Sequence, residues 1–306
     1  MQLNASVVLF NEKISSTNSN SFDWESFIKL SCDKKSVIAD EQPRSSAINA
    51  ECFQRNSCQN PALSSDDIKN IVRRISMHEK FFLNKYFEYL IRYGHLGQVL
   101  FLDKPMCYIT FPIDDCSCYP SRLISQGWHI WKNYEYLLDH QKYIFHSVIS
   151  EDKFNSGKAM CDVYVINKEN LLRLLRENET FFKNQLGDSF CSDLFLASLE
   201  SSRILNSLIR DNDAVLGVML GYGIASSLNY KNRVADDFHK TKTKKTKSSE
   251  TVFINIAPVQ FIPAPDSVEA NSLQNKYEHE VLELNKIYSR RNFFMKSMEK
   301  LCALSN

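Results

Sequence analysis

AVLGVMLGYGIASSL, residues 214–228, runs for fifteen residues without a charge and holds three of the chain's eight glycines. In a helix interior each glycine costs about 1 kcal/mol relative to alanine, so Gly217, Gly221 and Gly223 together put about 3 kcal/mol at stake. Gly217, Gly221 and Ala225 fall at successive steps of four, forming one stripe along which another backbone can approach closely. Val215, Leu216, Val218, Met219, Leu220 and Ile224 surround that stripe, so the stretch reads as a central core helix buried on most sides. It is too short for a membrane span, reaching about 22 Å against a hydrocarbon core of about 30 Å.

A rival reading makes Gly221-Tyr222-Gly223 a phosphate loop between a strand at 215–220 and a helix from Ile224. The dinucleotide fingerprint ends in Gly or Ala, where this chain has Ser226. No GK[ST] follows, and the acidic pair Asp236 and Asp237 comes early for a ribose contact. Close packing is the preferred role, with Gly221, Tyr222 and Gly223 kept as candidate binding residues.

Working outward, 306 residues suffice for a substantial core, and 43% hydrophobic residues with 12% aromatics mark a globular chain. A net charge of +1 gives no global attraction to nucleic acid or acidic membranes. Nine cysteines, an odd number without a disulfide-rich spacing, fit a reducing compartment, so the residues favour the cytoplasm. MQLNASVVLF lacks a basic leader and reads poorly as a signal peptide. Residues 1–63, rich in Ser, Asn, Asp and Lys after that opening, read as a flexible arm, and 64–306 as a single domain with a mobile basic loop at about 231–250.

In the domain, Ser64 to Asp67 should start a helix continued by Ile68, Ile71, Val72 and Ile75, and Ser76 with Glu79 should cap a second that stops near Gly94. Residues 98–102 and 106–111 read as strands about Asp103-Lys104-Pro105, where proline keeps Lys104 extended and turns the chain. At that sheet corner Asp103 and Lys104 read first as solvated turn residues, and the pair is kept as candidate binding residues at the edge of a pocket. A helix from Pro120, strands at 141–149 and 161–166, and a helix capped by Asn167 follow. A helix opening near Asp266 carries Tyr277, Val281, Leu284, Tyr288, Met295 and Met298 on one face, with Arg291 interrupting the pattern. The fold class is α+β: mostly helical, with a small, largely antiparallel sheet and a long C-terminal helix.

The motifs that could carry chemistry are sparse. Asp114-Asp115-Cys116-Ser117-Cys118 looks metal-like but lacks a second close Cys/His pair, and no metal or cofactor is expected. The lysines of HKTKTKKTK, residues 239–247, lack interleaved arginines and aromatics, so a solvated linker explains them and nucleic acid is not the expected partner. No GxSxG, HExxH or Walker A sequence occurs.

GQVLFLDKPMCYITF, WHIWKNYEYLL, YVINKENLLRLLREN, LGVMLGYGIASSL and APDSVEANSLQNKYEHEVLELNKIYSRRNFF together resemble a group of uncharacterised proteins of Chlamydia-related and other intracellular bacteria. Members of that group carry glycine where this chain has Leu102. The resemblance implies a host-associated bacterium and leaves export open; it brings no activity with it. The leading expectation is a non-enzymatic interaction protein, binding a protein partner through the N-terminal arm or the last helix. The alternative is an enzyme, thiol-dependent or nucleotide-binding, whose site the spacing does not expose.

Overall fold

The computed structural model describes residues 64–113, 119–151, 159–201, 205–234, 256, 259 and 261–302. Those from Ser64 onward form one compact unit. The arm, the metal-like run at 114–118 and the basic run at 239–247 lie outside the described residues.

Two capping boxes open the unit. Ser64 accepts from the amide of Asp67 and starts α1 (Ser65–Arg74), and Ser76 does the same with Glu79 for α2 (Met77–Arg92). In each, the carboxylate three residues on reaches back to the cap's own amide, satisfying donors that the first turn leaves free. Tyr93 and Gly94 end α2, and His95, in the left-handed region at φ 64°, redirects the chain into α3 (Leu96–Phe101). The expected first strand is therefore a short helix. Its run of Val, Leu and Phe fits either state, and packing against the sheet and the C-terminal helices decides it.

The sheet has three strands, β1 (Met106–Pro112), β2 (Tyr143–Glu151) and β3 (Ala159–Asn167), in the order β1-β3-β2 and antiparallel throughout. Helix α4 (Tyr119–Lys132) and a short 3-10 turn (Glu135–Leu137) carry the chain from β1 to β2. The registers Cys107↔Val165 and Phe145↔Val165 align residues of all three strands on one face.

Period two then sorts the sheet into two cores. Cys107, Ile109, Phe111, Tyr143, Phe145, Cys161, Val163 and Val165 join one core, with α1, α2 and α4. Met106, Ile144, Tyr164 and Ile166 join the other. That second core is covered by α5 (Lys168–Glu177), α6 (Glu179–Leu186), α7 (Ser192–Ser201), α8 (Leu205–Leu208) and α9 (Asp213–Met219). Burial of each large apolar side chain contributes about 1.5–3 kcal/mol, so a strand buried on both faces is a strong organiser.

The central glycine stretch departs from the expected single helix. It forms α9, a break at 220–223, and α10 (Ile224–Val234) folded back on it. Gly221 and Gly223 sit at φ 80° and 78°, where L side chains are strained, so the chain turns there and the cost of interior helical glycines is avoided. Gly217 does serve close approach: a Cβ built on it would lie 2.6 Å from Ser227 Oγ on α10. Since 215–220 is not a strand, the strand-loop-helix geometry of a phosphate loop is not formed.

Ser267 caps α11 (Val268–Ile287), the long C-terminal helix, and α12 (Phe293–Leu301) follows it. The break between them includes Arg291, at φ 54°, the position where the apolar pattern lapses. Among the described residues, no helix is long and apolar enough to cross a membrane.

Candidate functional site

The corner between α3 and β1 is fixed from two sides. Pro105 offers its carbonyl to the amide of Asn167 at 2.9 Å, and Asn170 donates its side-chain amide to the carbonyl of Leu102 at 3.4 Å. Lys104, held between these ties, points inward and is only 1% exposed. Its Nζ donates to the carbonyl oxygen of Leu220, the residue that closes α9. A cation at that end complements the negative pole of the helix. The same ammonium lies 5.1 Å from the ring centre of Tyr222 and 5.2 Å from that of Tyr277, so two π faces also solvate it.

Gly221 and Gly223 are placed beside this cation by the turn after α9. A Cβ on Gly221 would lie 2.6 Å from the Tyr277 hydroxyl and 3.5 Å from Pro105 Cδ. The carbonyl of Gly221 accepts from that same hydroxyl at 2.6 Å. A Cβ on Gly223 would lie 2.7 Å from the carboxylate of Glu269, which accepts from the amides of Ile224 and Ala225 at 3.2 and 3.1 Å and so caps α10. Tyr222 stacks on Phe261 at 5.7 Å. Asp103 stays outside, paired with Lys276 of α11 at 2.8 Å.

All five residues singled out in the sequence thus meet around one junction of the corner, the glycine turn and α11. Lys276, Tyr277 and Glu280 complete it and were not singled out as site residues. The available signal was a carboxylate, Glu280, on the stripe that runs through Tyr277 and Leu284.

Burial dominates the electrostatics. It pushes Lys104 down to about 8, offset by nearby Cys107 and Glu280, and holds His95 down at about 3, with the Lys104 charge acting in the same direction. It pushes Glu280 up to about 7, against the pull of Lys276, and a hydrogen bond with Asp103 adds to the rise. Tyr222 is pushed up to about 12 by burial. Both amide atoms of the fully buried Gln98, Nδ1 of His95 and Oε2 of Glu280 have no hydrogen-bond partner among the described residues.

Thiol chemistry finds poor material here. Burial pushes Cys107 and Cys302 up to about 12 and raises Cys161 further, which leaves three thiols protonated and weakly nucleophilic. Cys191 is exposed. Among the described residues no group of three His, Cys, Asp or Glu side chains is placed to hold a metal ion.

No protein-family model, no curated protein and no solved structure matches the chain.

Proposed function

We propose that this is a non-enzymatic protein of a host-associated bacterium that works by binding another protein. One observation carries the reading: four of the polar side chains at the junction are already engaged within the fold. Lys104 is given to the Leu220 carbonyl and two aromatic faces, Tyr277 to the Gly221 carbonyl, Asp103 to Lys276, and Glu269 to two backbone amides. Such a junction fixes α11 in place and presents its outer side. There Val268 is 83% exposed and Leu282 58%, while Ala270, Tyr277, Glu280 and Leu284 face inward. The partner would meet this helix or the arm at 1–63.

A photocrosslinking residue at position 282 of the full-length chain tests this, with one at exposed position 149 as control. Capture of one protein from 282 alone, abolished by a nearby Glu278→Arg change, supports the reading. Equal capture at both positions, or capture insensitive to that change, removes α11 from it.

A second reading, an enzyme using the Lys104 amine on a carbonyl substrate, is favoured by one observation. Lys104 and Glu280 both titrate near neutrality within one cluster. Borohydride treatment in the presence of a panel of aldehydes and 2-oxo acids would then fix one added mass on Lys104; an unlabelled Lys104 beside labelled surface lysines would reject it.

A further inference from the structure

We infer that the outer edge of β2 is a docking edge for a second copy of this chain, whose own β2 adds antiparallel to it about a two-fold axis at Ser147. The contact does not involve α11.

Hydrogen-bond parity decides which groups each strand turns outward. In an antiparallel pair, residues alternate between exchanging backbone bonds with the neighbour and directing those groups away from it. The amide of Lys168 donates to the carbonyl of Lys142 at 3.0 Å, and the register runs on from there without a bulge to Glu151. Ile144, His146 and Val148 therefore bond to β3, and Phe145, Ser147 and Ile149 direct their amides and carbonyls away from it. Among the described residues, those outward groups have no hydrogen-bond partner.

The opposite edge is treated differently. By the same parity, counted from the bond of the Asn167 amide to Pro105, β1 turns Tyr108, Thr110 and Pro112 outward. The carbonyl of Thr110 accepts from the Tyr89 hydroxyl at 3.2 Å, Pro112 has no amide to offer, and α3 and α4 pack against the strand. One edge of the sheet is blunted and the other is open, and an open edge is a template for another strand.

The chemistry of β2 selects its own copy as that strand. Phe145 and Ile149 each lie two residues from Ser147, so a two-fold axis through Ser147 gives every outward amide an outward carbonyl on the other copy. Period two puts Phe145, Ser147 and Ile149 on one face of the sheet. Across the axis, Ile149 of each copy then stands opposite Phe145 of the other, an aromatic and β-branched pair. That pairing covers Ile149, which is 58% exposed in the single chain. A lysine at an edge usually repels a second strand, and Lys132 reaches the Ser147 hydroxyl at 3.0 Å. Its ammonium is held 2.8 Å from the Glu135 carboxylate, so each copy brings an ion pair to the axis rather than a bare charge.

Sedimentation equilibrium on the full-length chain reads the contact. The average mass should rise from that of one chain towards that of two between about 1 and about 300 µM, as fits a small interface. Ser147→Pro removes an outward amide that the single chain does not use, and should hold the mass at one chain across that range. Mild oxidation of Ser147→Cys should join two copies through position 147, since residues opposed in such a pair have Cα atoms about 5.5 Å apart. Ile149→Cys should not join to itself, because the two copies of position 149 lie about 14 Å apart. A photocrosslinker at 149 should trap a second copy, a product of twice the chain's mass and so separable from capture of another protein. A wild-type chain that stays at the mass of one, or that doubles without the disulfide at 147 in Ser147→Cys, overturns the proposal. So does a dimer that survives Ser147→Pro, and the two cysteine variants decide the matter if the proline variant fails to fold.

Discussion

The hydroxyl of Tyr277 donates a 2.6 Å hydrogen bond to the carbonyl of Gly221, 56 residues earlier in the chain. Gly221 is in the left-handed region, and its carbonyl lies just past the last turn of α9, where helical partners have run out. Tyr277→Phe keeps the ring and its packing but leaves that carbonyl buried and unpaired. The expected loss is about 1–3 kcal/mol, seen as a lower urea midpoint with an unchanged slope.

Lys104 supplies a pH signature. Its folded value of about 8 lies below the usual 10.5, so below 8 the folded state carries a buried charge that the unfolded chain holds in water. Relief comes as pH rises from 8 to 10.5, and folding stability should rise over that window. Lys104→Met should abolish the rise, which denaturant unfolding at about pH 8 and about pH 10 would read.

Gly217 and Ser227 should behave as a coupled pair. Alanine at 217 gains helix propensity of about 1 kcal/mol, yet its Cβ would sit 2.6 Å from Ser227 Oγ and 3.0 Å from Ser227 Cβ. Gly217→Ala alone should therefore destabilise. Combined with Ser227→Gly it should destabilise less than the two single changes added together, with a coupling of about 0.5–3 kcal/mol in a double-mutant cycle.

Maleimide labelling followed by peptide mapping should modify Cys191 in the native chain and leave Cys107, Cys161 and Cys302 untouched until denaturant is added. Rapid native labelling of Cys107 would mean that β1 opens to solvent.

Much of the architecture was legible because its signals are local. Ser64 with Asp67 and Ser76 with Glu79 are capping boxes that can be read three residues at a time, and Asn167 caps α5 as its sequence context suggests. The strands at β1, β2 and β3 and the turn before Pro105 followed from alternation and proline geometry. Three features needed the tertiary fold. Residues 98–102 carry no periodicity long enough to separate strand from helix, and packing made them the helix α3. The stripe of Gly217, Gly221 and Ala225 is compatible with an unbroken helix, but positive φ at Gly221 and Gly223 folds it in two. Arg291 marked a lapse in the C-terminal pattern, and the helix breaks in that region. At the junction, Lys104, Gly221 and Tyr222 were chosen for composition and turn chemistry. Tyr277 read as one more apolar residue on a helix face, and only the fold shows its hydroxyl reaching Gly221.

The pairing of α12 with α2 has a consequence for how the chain is made. Phe294 donates its amide to Asn84 at 3.1 Å and packs on Phe87 at 5.6 Å, while the amide of Asp139 reaches the carbonyl of Leu301 at 2.7 Å. Helices translated early thus wait for a segment translated roughly two hundred residues later. During synthesis Phe87 therefore has its Trp131 contact before its Phe294 contact, and the latter face of its packing forms once residues 293–302 have emerged from the ribosome.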